Sequence, residues 1–191
     1  MPVRIIAGKY RRRRLKTLEG DATRPMLDRM RETLFNILAP EIDGAVFVDL
    51  YAGSGAVGIE ALSRGAARAI FVETSLSAVK VIKENLALLG IGPEAEILPV
   101  PVTAALKSIE GEIVFLGPPY AMTEEYEATL AALGERPPSI VIAQHARQHF
   151  LEESYGKLRR SRIVKMGGNA LSFFRPYPNS GQAADPRLSE T

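Results

Sequence analysis

AVFVDLYAGSGAVG, residues 45–58, is the stretch that decides the fold. Its first six residues are apolar apart from Asp49, and its last six set Gly53, Gly55 and Gly58 in a GxGxxG spacing. A short apolar run entering a glycine turn and leaving as a helical pattern is the opening unit of a nucleotide-binding α/β sheet. Each glycine has a physical use there: a tight turn, close approach of a ligand to the backbone, and close contact of helix with strand.

Outward from this unit, apolar runs alternate with helical patterns. Strands are expected at 45–50, 69–73, 96–100, 112–116 and 139–143, and the clearest helices at Ser75–Leu89 and Thr123–Leu133. Strands apolar throughout and separated by helices imply a parallel sheet covered on both faces. The pattern then changes: 158–165, a Met166-Gly167-Gly168-Asn169 turn and 170–175 read as an antiparallel hairpin. A mostly parallel α/β sheet of seven strands ending in an antiparallel hairpin is the expected architecture. This is the layout of the class I methyltransferase (Rossmann-like) fold. Upstream, 3–17 reads as a small hairpin and Met26–Leu38 as a helix led by Pro25, with Asp28, Arg29, Arg31, Glu32 and Asn36 on its exposed side. The organisation expected is a basic N-terminal extension over 1–40, a catalytic domain over 41–177 and a flexible tail over 178–191.

Charge is unevenly spread. Residues 1–31 hold ten Lys/Arg against three acids, +7, while the whole chain is +2, so the remainder is −5. A cationic end on a mildly acidic body points to a polyanion contact. Lys9, the run Arg11, Arg12, Arg13, Arg14, and then Arg24, Arg29 and Arg31 are the candidate RNA-contacting residues. The chain has no cysteine and two histidines, His145 and His149, which removes disulfide frameworks and thiolate metal sites and leaves no metal centre to expect. No run reaches the roughly 18 apolar residues of a membrane span, so a cytoplasmic protein is expected.

Asp49, four residues before Gly53, bears on the ligand. A carboxylate there repels a pyrophosphate but suits a ligand bearing an ammonium and a sulfonium, and S-adenosylmethionine carries both with no phosphate. Glu73, closing the second strand, can accept two ribose hydroxyls, a role shared by dinucleotides. At the end of the fourth strand stands Gly117-Pro118-Pro119-Tyr120. Two prolines fix the backbone and have no N–H, and Tyr120 offers a ring on which a base can stack.

These pieces together resemble the family of bacterial 16S rRNA guanine-N2 methyltransferases. The matching segments are Arg4–Gly8, Thr23-Arg24-Pro25, Arg31-Glu32 with Leu34-Phe35-Asn36, Asp49–Gly58, Glu60–Ala66, Glu73, Asn85 and Pro118-Pro119-Tyr120, spread over residues 3 to 176. The resemblance implies that S-adenosylmethionine is held by Asp49, Tyr51, Ala52, Gly53, Ser54, Gly55, Gly58, Glu73, Thr74 and Val102. It implies that Gly117, Pro118, Pro119 and Tyr120 form the catalytic corner, and that the partner is 16S rRNA or a small-subunit assembly particle, with a monomeric protein. In such enzymes an (Asp/Asn/Ser)-Pro-Pro-aromatic motif grips the target amine between the first side chain and the following proline carbonyl.

The chain departs from that pattern in three places. Gly117 has no side chain to accept, Pro99-Val100-Pro101-Val102-Thr103 stands where an acid near the adenine is usual, and Gln144-His145 stands where Glu is usual. Slowed catalysis is one expectation, and a degenerate member that binds rRNA without methylating it is another. A DNA adenine-N6 methyltransferase shares the strand-four chemistry but usually adds a sizeable target-recognition domain. An NAD-type oxidoreductase is opposed by Asp49 and by Pro118-Pro119-Tyr120. His145 and His149 are expected to be non-catalytic.

Overall fold

The computed structural model describes residues 3–18 and 28–177. Its elements are α1 (Asp28–Leu38), β1 (Val46–Leu50), α2 (Ala56–Ser63), β2 (Arg68–Val72), α3 (Leu76–Leu89), β3 (Ala95–Leu98), α4 (Val102–Ala105) and β4 (Ile113–Leu116). There follow α5 (Thr123–Glu135), β5 (Ile140–Ala146), β6 (Ser154–Tyr155), β7 (Leu158–Met166) and β8 (Asn169–Pro176). One sheet runs β3-β2-β1-β4-β5-β8-β7-β6. The first five strands in this order are parallel, and β8, β7 and β6 are antiparallel.

The inner parallel strands β1, β2, β4 and β5 are mainly apolar because both faces are covered, while β3, at the edge, is half-buried and carries Glu96. Phe47, Phe71, Ile113, Phe115 and Ile142 pack under α1, α2 and α3, while Val48, Leu50, Val114, Leu116 and Val141 pack against α5. A fully buried side chain of this size contributes about 1.5–3 kcal/mol, so the alternating faces pin the strand register. Neighbouring strands progress outward to β3 on one side of β1 and to β5 on the other. The sheet reverses its order between β1 and β4, the place where α/β sheets open a ligand crevice.

Two sequence expectations change. The sheet has eight strands rather than seven, since Ser154–Tyr155 pairs with Leu158–Arg159 through a turn in which Gly156 has φ 56°. A two-residue strand is too short to display an alternation. The N-terminal segment folds back on itself as the small hairpin expected: Arg4 and Arg14 form an antiparallel bridge, with Ile5 N donating to the Arg13 carbonyl at 3.0 Å, Arg12 N to the Ile5 carbonyl at 2.8 Å and Leu15 N to the Val3 carbonyl at 2.9 Å. It holds to the body, burying Val3, Ile5 and Leu15 in the core under α1. Arg31, expected on the exposed side of α1, is only 1% exposed. Pro25, Met26 and Leu27, the expected start of that helix, and the expected tail over 178–191 lie outside the described residues.

Arg31 is buried because three oxygens converge on it. Its Nη2 donates to the Arg4 carbonyl at 2.5 Å and to Asp28 Oδ1 at 3.0 Å, and its Nε lies 3.6 Å from Glu60 Oε2. Glu60 is itself fully buried. It accepts from the Ile6 and Ala7 N–H groups at 2.8 and 3.0 Å and from Arg64 Nε at 2.8 Å. This ionic knot fastens the N-terminal segment to α2. Breaking one member leaves an uncompensated buried charge.

Candidate functional site

Asp49, Glu73 and Gly117 stand at or just past the carboxyl ends of three neighbouring strands, β1, β2 and β4. The loop after β1 is tightly wound: Tyr51 has φ 61°, a left-handed conformation uncommon for a residue with a side chain. It is held there by its hydroxyl, which donates to Glu125 Oε2 at 2.6 Å and lies 3.1 Å from Thr129 Oγ1 on α5. Gly58 meets the close approach that its spacing suggested, because an added Cβ would lie 2.4 Å from the Phe71 ring.

Asp49 is buried, and its Oδ2 accepts from the Gly58 N–H at 2.9 Å. Burial pushes its carboxyl up to about 8; the Gly58 N–H pulls the other way, and Glu73 adds to the rise. Glu73 is half-buried and folds back on the loop, with Oε2 accepting from Gly53 N at 2.8 Å and Oε1 from Ser75 N at 2.8 Å. An added Cβ on Gly53 would meet nothing within 4 Å, so the space over that turn is open. Ala52 is buried and Ser54 half-buried, Thr74 is exposed beside Glu73, and Val102 is buried at the start of α4. A buried acid in β1, a second acid just past β2 and open space above the turn fit S-adenosylmethionine. Asn85 is buried on α3. Its Nδ2 donates to the Ser54 carbonyl at 3.0 Å, and its amide also pairs with the Lys16 main chain, tying the loop to the N-terminal segment.

The proline corner follows β4. Pro118 is buried, whereas Pro119 and Tyr120 are exposed. Sequence reading did not single out Tyr126, whose hydroxyl lies 2.9 Å from the Gln144 carbonyl and 3.2 Å from that of Pro118. Nothing in the local pattern of α5 marks this tyrosine, since its partners arrive from other elements. Tyr120 donates to Asn169 Oδ1 and receives from Gln144 Nε2 at 3.4 Å, so the hairpin tip is drawn against the corner. His145 lies 2.9 Å from the Ala146 carbonyl through Nδ1 and 2.9 Å from Ser172 Oγ through Nε2, and burial lowers its pKa. A cavity of about 260 Å³ opens elsewhere, at the other end of β1 and β4, lined by Leu106, Arg136 and Pro138 among others.

Lys9 and Arg11 to Arg14 are exposed on the N-terminal segment, as is Arg29 on α1. Arg13 alone of these makes a side-chain hydrogen bond to the body among the described residues, to the Leu88 carbonyl at 3.1 Å. Arg31 sits apart from them in the core, and Arg24 lies outside the described residues.

The family described as Conserved hypothetical protein 95 matches residues 3–175. The chain belongs to that family. Bacillus subtilis YlbH, provisionally named an rRNA methyltransferase, is 32% identical over 182 residues, which cover 91% of this chain and 98% of that one. Ribosomal RNA small subunit methyltransferase D of Escherichia coli K12 is 42% identical over 119 residues, covering 62% of this chain and 60% of that protein. Among solved structures, yhhF of Escherichia coli, described provisionally as a methyltransferase, aligns with TM-score 0.79 and 32% identity over 92% of this chain and 98% of that one. PH1948 of Pyrococcus horikoshii, at 19% identity and TM-score 0.72, shares the fold. The fold is that of the class I methyltransferases, with Asp49, Glu73 and Pro118-Pro119-Tyr120 at the carboxyl ends of its strands.

Proposed function

We propose that this protein transfers a methyl group from S-adenosylmethionine to the exocyclic N2 amine of a guanine in small-subunit rRNA, acting in the bacterial cytoplasm. The observation that carries the reading is the pairing of an acid-lined glycine loop with a proline ledge on adjacent strands, Leu50 opposite Leu116, in a chain of this family. The named relatives, two of them called rRNA methyltransferases, support the substrate class.

The donor, when bound, supplies a methyl carbon on a positively charged sulfur that leaves as a neutral thioether. The chain's own work is alignment. Asp49 takes the cationic amino-acid end, Glu73 reaches the ribose hydroxyls, and Tyr120 offers a face to a flipped base. Pro118 and Pro119 hold the ledge rigid so that the amine lone pair meets the carbon in line. Ordering of this kind can supply about 7–11 kcal/mol of a barrier.

Labelled methyl transfer to naked 16S rRNA and to 30S particles, followed by mapping of the modified base, tests the proposal. Label on the N2 of a guanine is the expected result. Purified protein with no transfer to either substrate and no affinity for the donor removes the enzymatic reading. Gly117 favours the second reading, an rRNA-binding member without turnover, and RNA binding with no transfer would establish it.

The domain over 1–40 is the proposed RNA-binding part. Phosphate contacts by basic side chains lower log K linearly with log salt, by about 0.7–0.9 per contact. Changing Arg11, Arg12, Arg13 and Arg14 together to Gln is expected to flatten that slope by about 3–3.5. Filter binding across a salt series measures it, and an unaltered slope takes these residues out of the interface.

A further inference from the structure

The amine to be methylated needs hydrogen-bond acceptors for its N–H groups, and the corner after β4 is short of them. The Pro118 carbonyl already faces the Tyr126 hydroxyl, and the Pro119 carbonyl accepts from Met122 N at 2.8 Å. Gly117 contributes no side chain. The space it leaves is bounded by the Phe115 ring, 3.4 Å from an added Cβ, and by the Cβ of Gln144 at 3.8 Å. Gln144 reaches this place from β5, and its main chain is held by Tyr126. Its Nε2 donates to Tyr120, which orients the carboxamide. Its Oε1 receives no hydrogen bond from the described residues and is not among their sealed, unpartnered buried atoms.

We infer that Gln144 is a catalytic residue, its Oε1 accepting from the exocyclic amine at the position that Gly117 leaves open. The inference rests on the methyl-transfer reading above. As the nitrogen lone pair forms the new N–C bond, the C–S pair returns to sulfur, and the methylated nitrogen then releases one proton to water. An amide oxygen cannot take that proton. Its contribution is to hold one N–H so that the lone pair points at the methyl carbon, and to stabilise the positive charge growing on nitrogen. Tyr120 is thereby also a positioning residue, since its hydroxyl fixes the Gln144 amide.

Gln144→Leu preserves volume and removes the acceptor. Losing one such transition-state contact lowers turnover by about 10²–10³-fold, and affinity for S-adenosylhomocysteine is expected to stay within twofold of the parent protein. A second readout uses no turnover: binding of a guanosine-containing rRNA fragment against the same fragment with inosine, which lacks the amine. The parent is expected to prefer guanosine by about fivefold to tenfold, the worth of one hydrogen bond, and Gln144→Leu to bind both alike. Gly117→Asn, whose Cβ the site accommodates at ordinary contact distance, should restore at least tenfold of the lost rate when added to Gln144→Leu. Turnover of Gln144→Leu within threefold of the parent, an undiminished guanosine preference, or no restoration by Gly117→Asn overturns the assignment. A parent protein that transfers no methyl to RNA overturns the functional reading instead.

Discussion

Affinity for S-adenosylmethionine is expected to rise about tenfold for each pH unit up to about pH 7 and to level off around pH 8. Each tenfold step is about 1.4 kcal/mol, the free energy of removing one proton against one unit of pH. Asp49 carries the effect because burial holds its carboxyl near 8, so at neutral pH the ligand-free pocket contains mostly the neutral acid. A cationic ligand binds the ionised form, so below pH 8 binding must expel one proton. Asp49→Asn keeps an acceptor for Gly58 N but cannot ionise. It is expected to lose at least about a hundredfold of donor affinity at pH 9, as removal of a buried charge partner does, and to show no pH dependence.

The same substitution has the opposite effect on the ligand-free fold. With the folded pKa above its ordinary 3.8, the native protein binds more protons than the unfolded chain between about pH 4 and pH 8. Stability from this group is therefore fully present below pH 4, falls as pH rises through that window, and is flat beyond it. Asp49→Asn should melt higher than the parent at pH 9 and near it at pH 4. Calorimetric titration across pH and thermal melts without ligand check both halves. A donor affinity independent of pH removes Asp49 from the cation site.

Gly8→Ala is expected to destabilise the protein by about 2–4 kcal/mol, in the range of disrupted core packing. Gly8 has φ 80°, and a Cβ built on it would fall 1.7 Å from the Ser63 carbonyl oxygen. The neighbouring bonds leave no slack: Lys9 N donates to that carbonyl at 2.7 Å, Tyr10 N to Ser63 Oγ at 3.0 Å, and Ser63 Oγ to the Ala7 carbonyl at 2.6 Å. The segment must lift off α2, carrying Val3, Ile5 and Leu15 out of the core and loosening the contact of Lys16 with Asn85. For a protein of this size the melting temperature should drop by roughly 5–15 °C. Limited proteolysis with trypsin should cut within Arg11–Arg14 before the body unfolds. An unchanged melting temperature with intact arginines would show that the segment adapts without strain.

The five parallel strands, the helices between them and the closing hairpin were legible in the chain because each rests on a short-range pattern. Apolar runs bounded by turn residues mark the strands here, and Gly58 has to be small because the helix it opens lies against Phe71. The family, read from short motifs dispersed over the chain, rests on the same local information. Arg31 was misplaced for the complementary reason. Helical spacing put it on the polar side of α1, but Glu60 and the Arg4 carbonyl, which drew it inside, come from other parts of the chain.

By itself, then, the amino-acid order determined the α/β class, the acid-flanked glycine loop and the proline corner, since periodicity, backbone freedom and side-chain chemistry are properties of neighbouring residues. Only the tertiary structure decided that Asp49 is sealed enough to hold its proton, that the N-terminal arginines ride on a segment clamped to α2, and that Gln144 stands beside the gap at Gly117. Desolvation and contact depend on what the folded chain brings close, and that proximity is written in no single stretch of sequence.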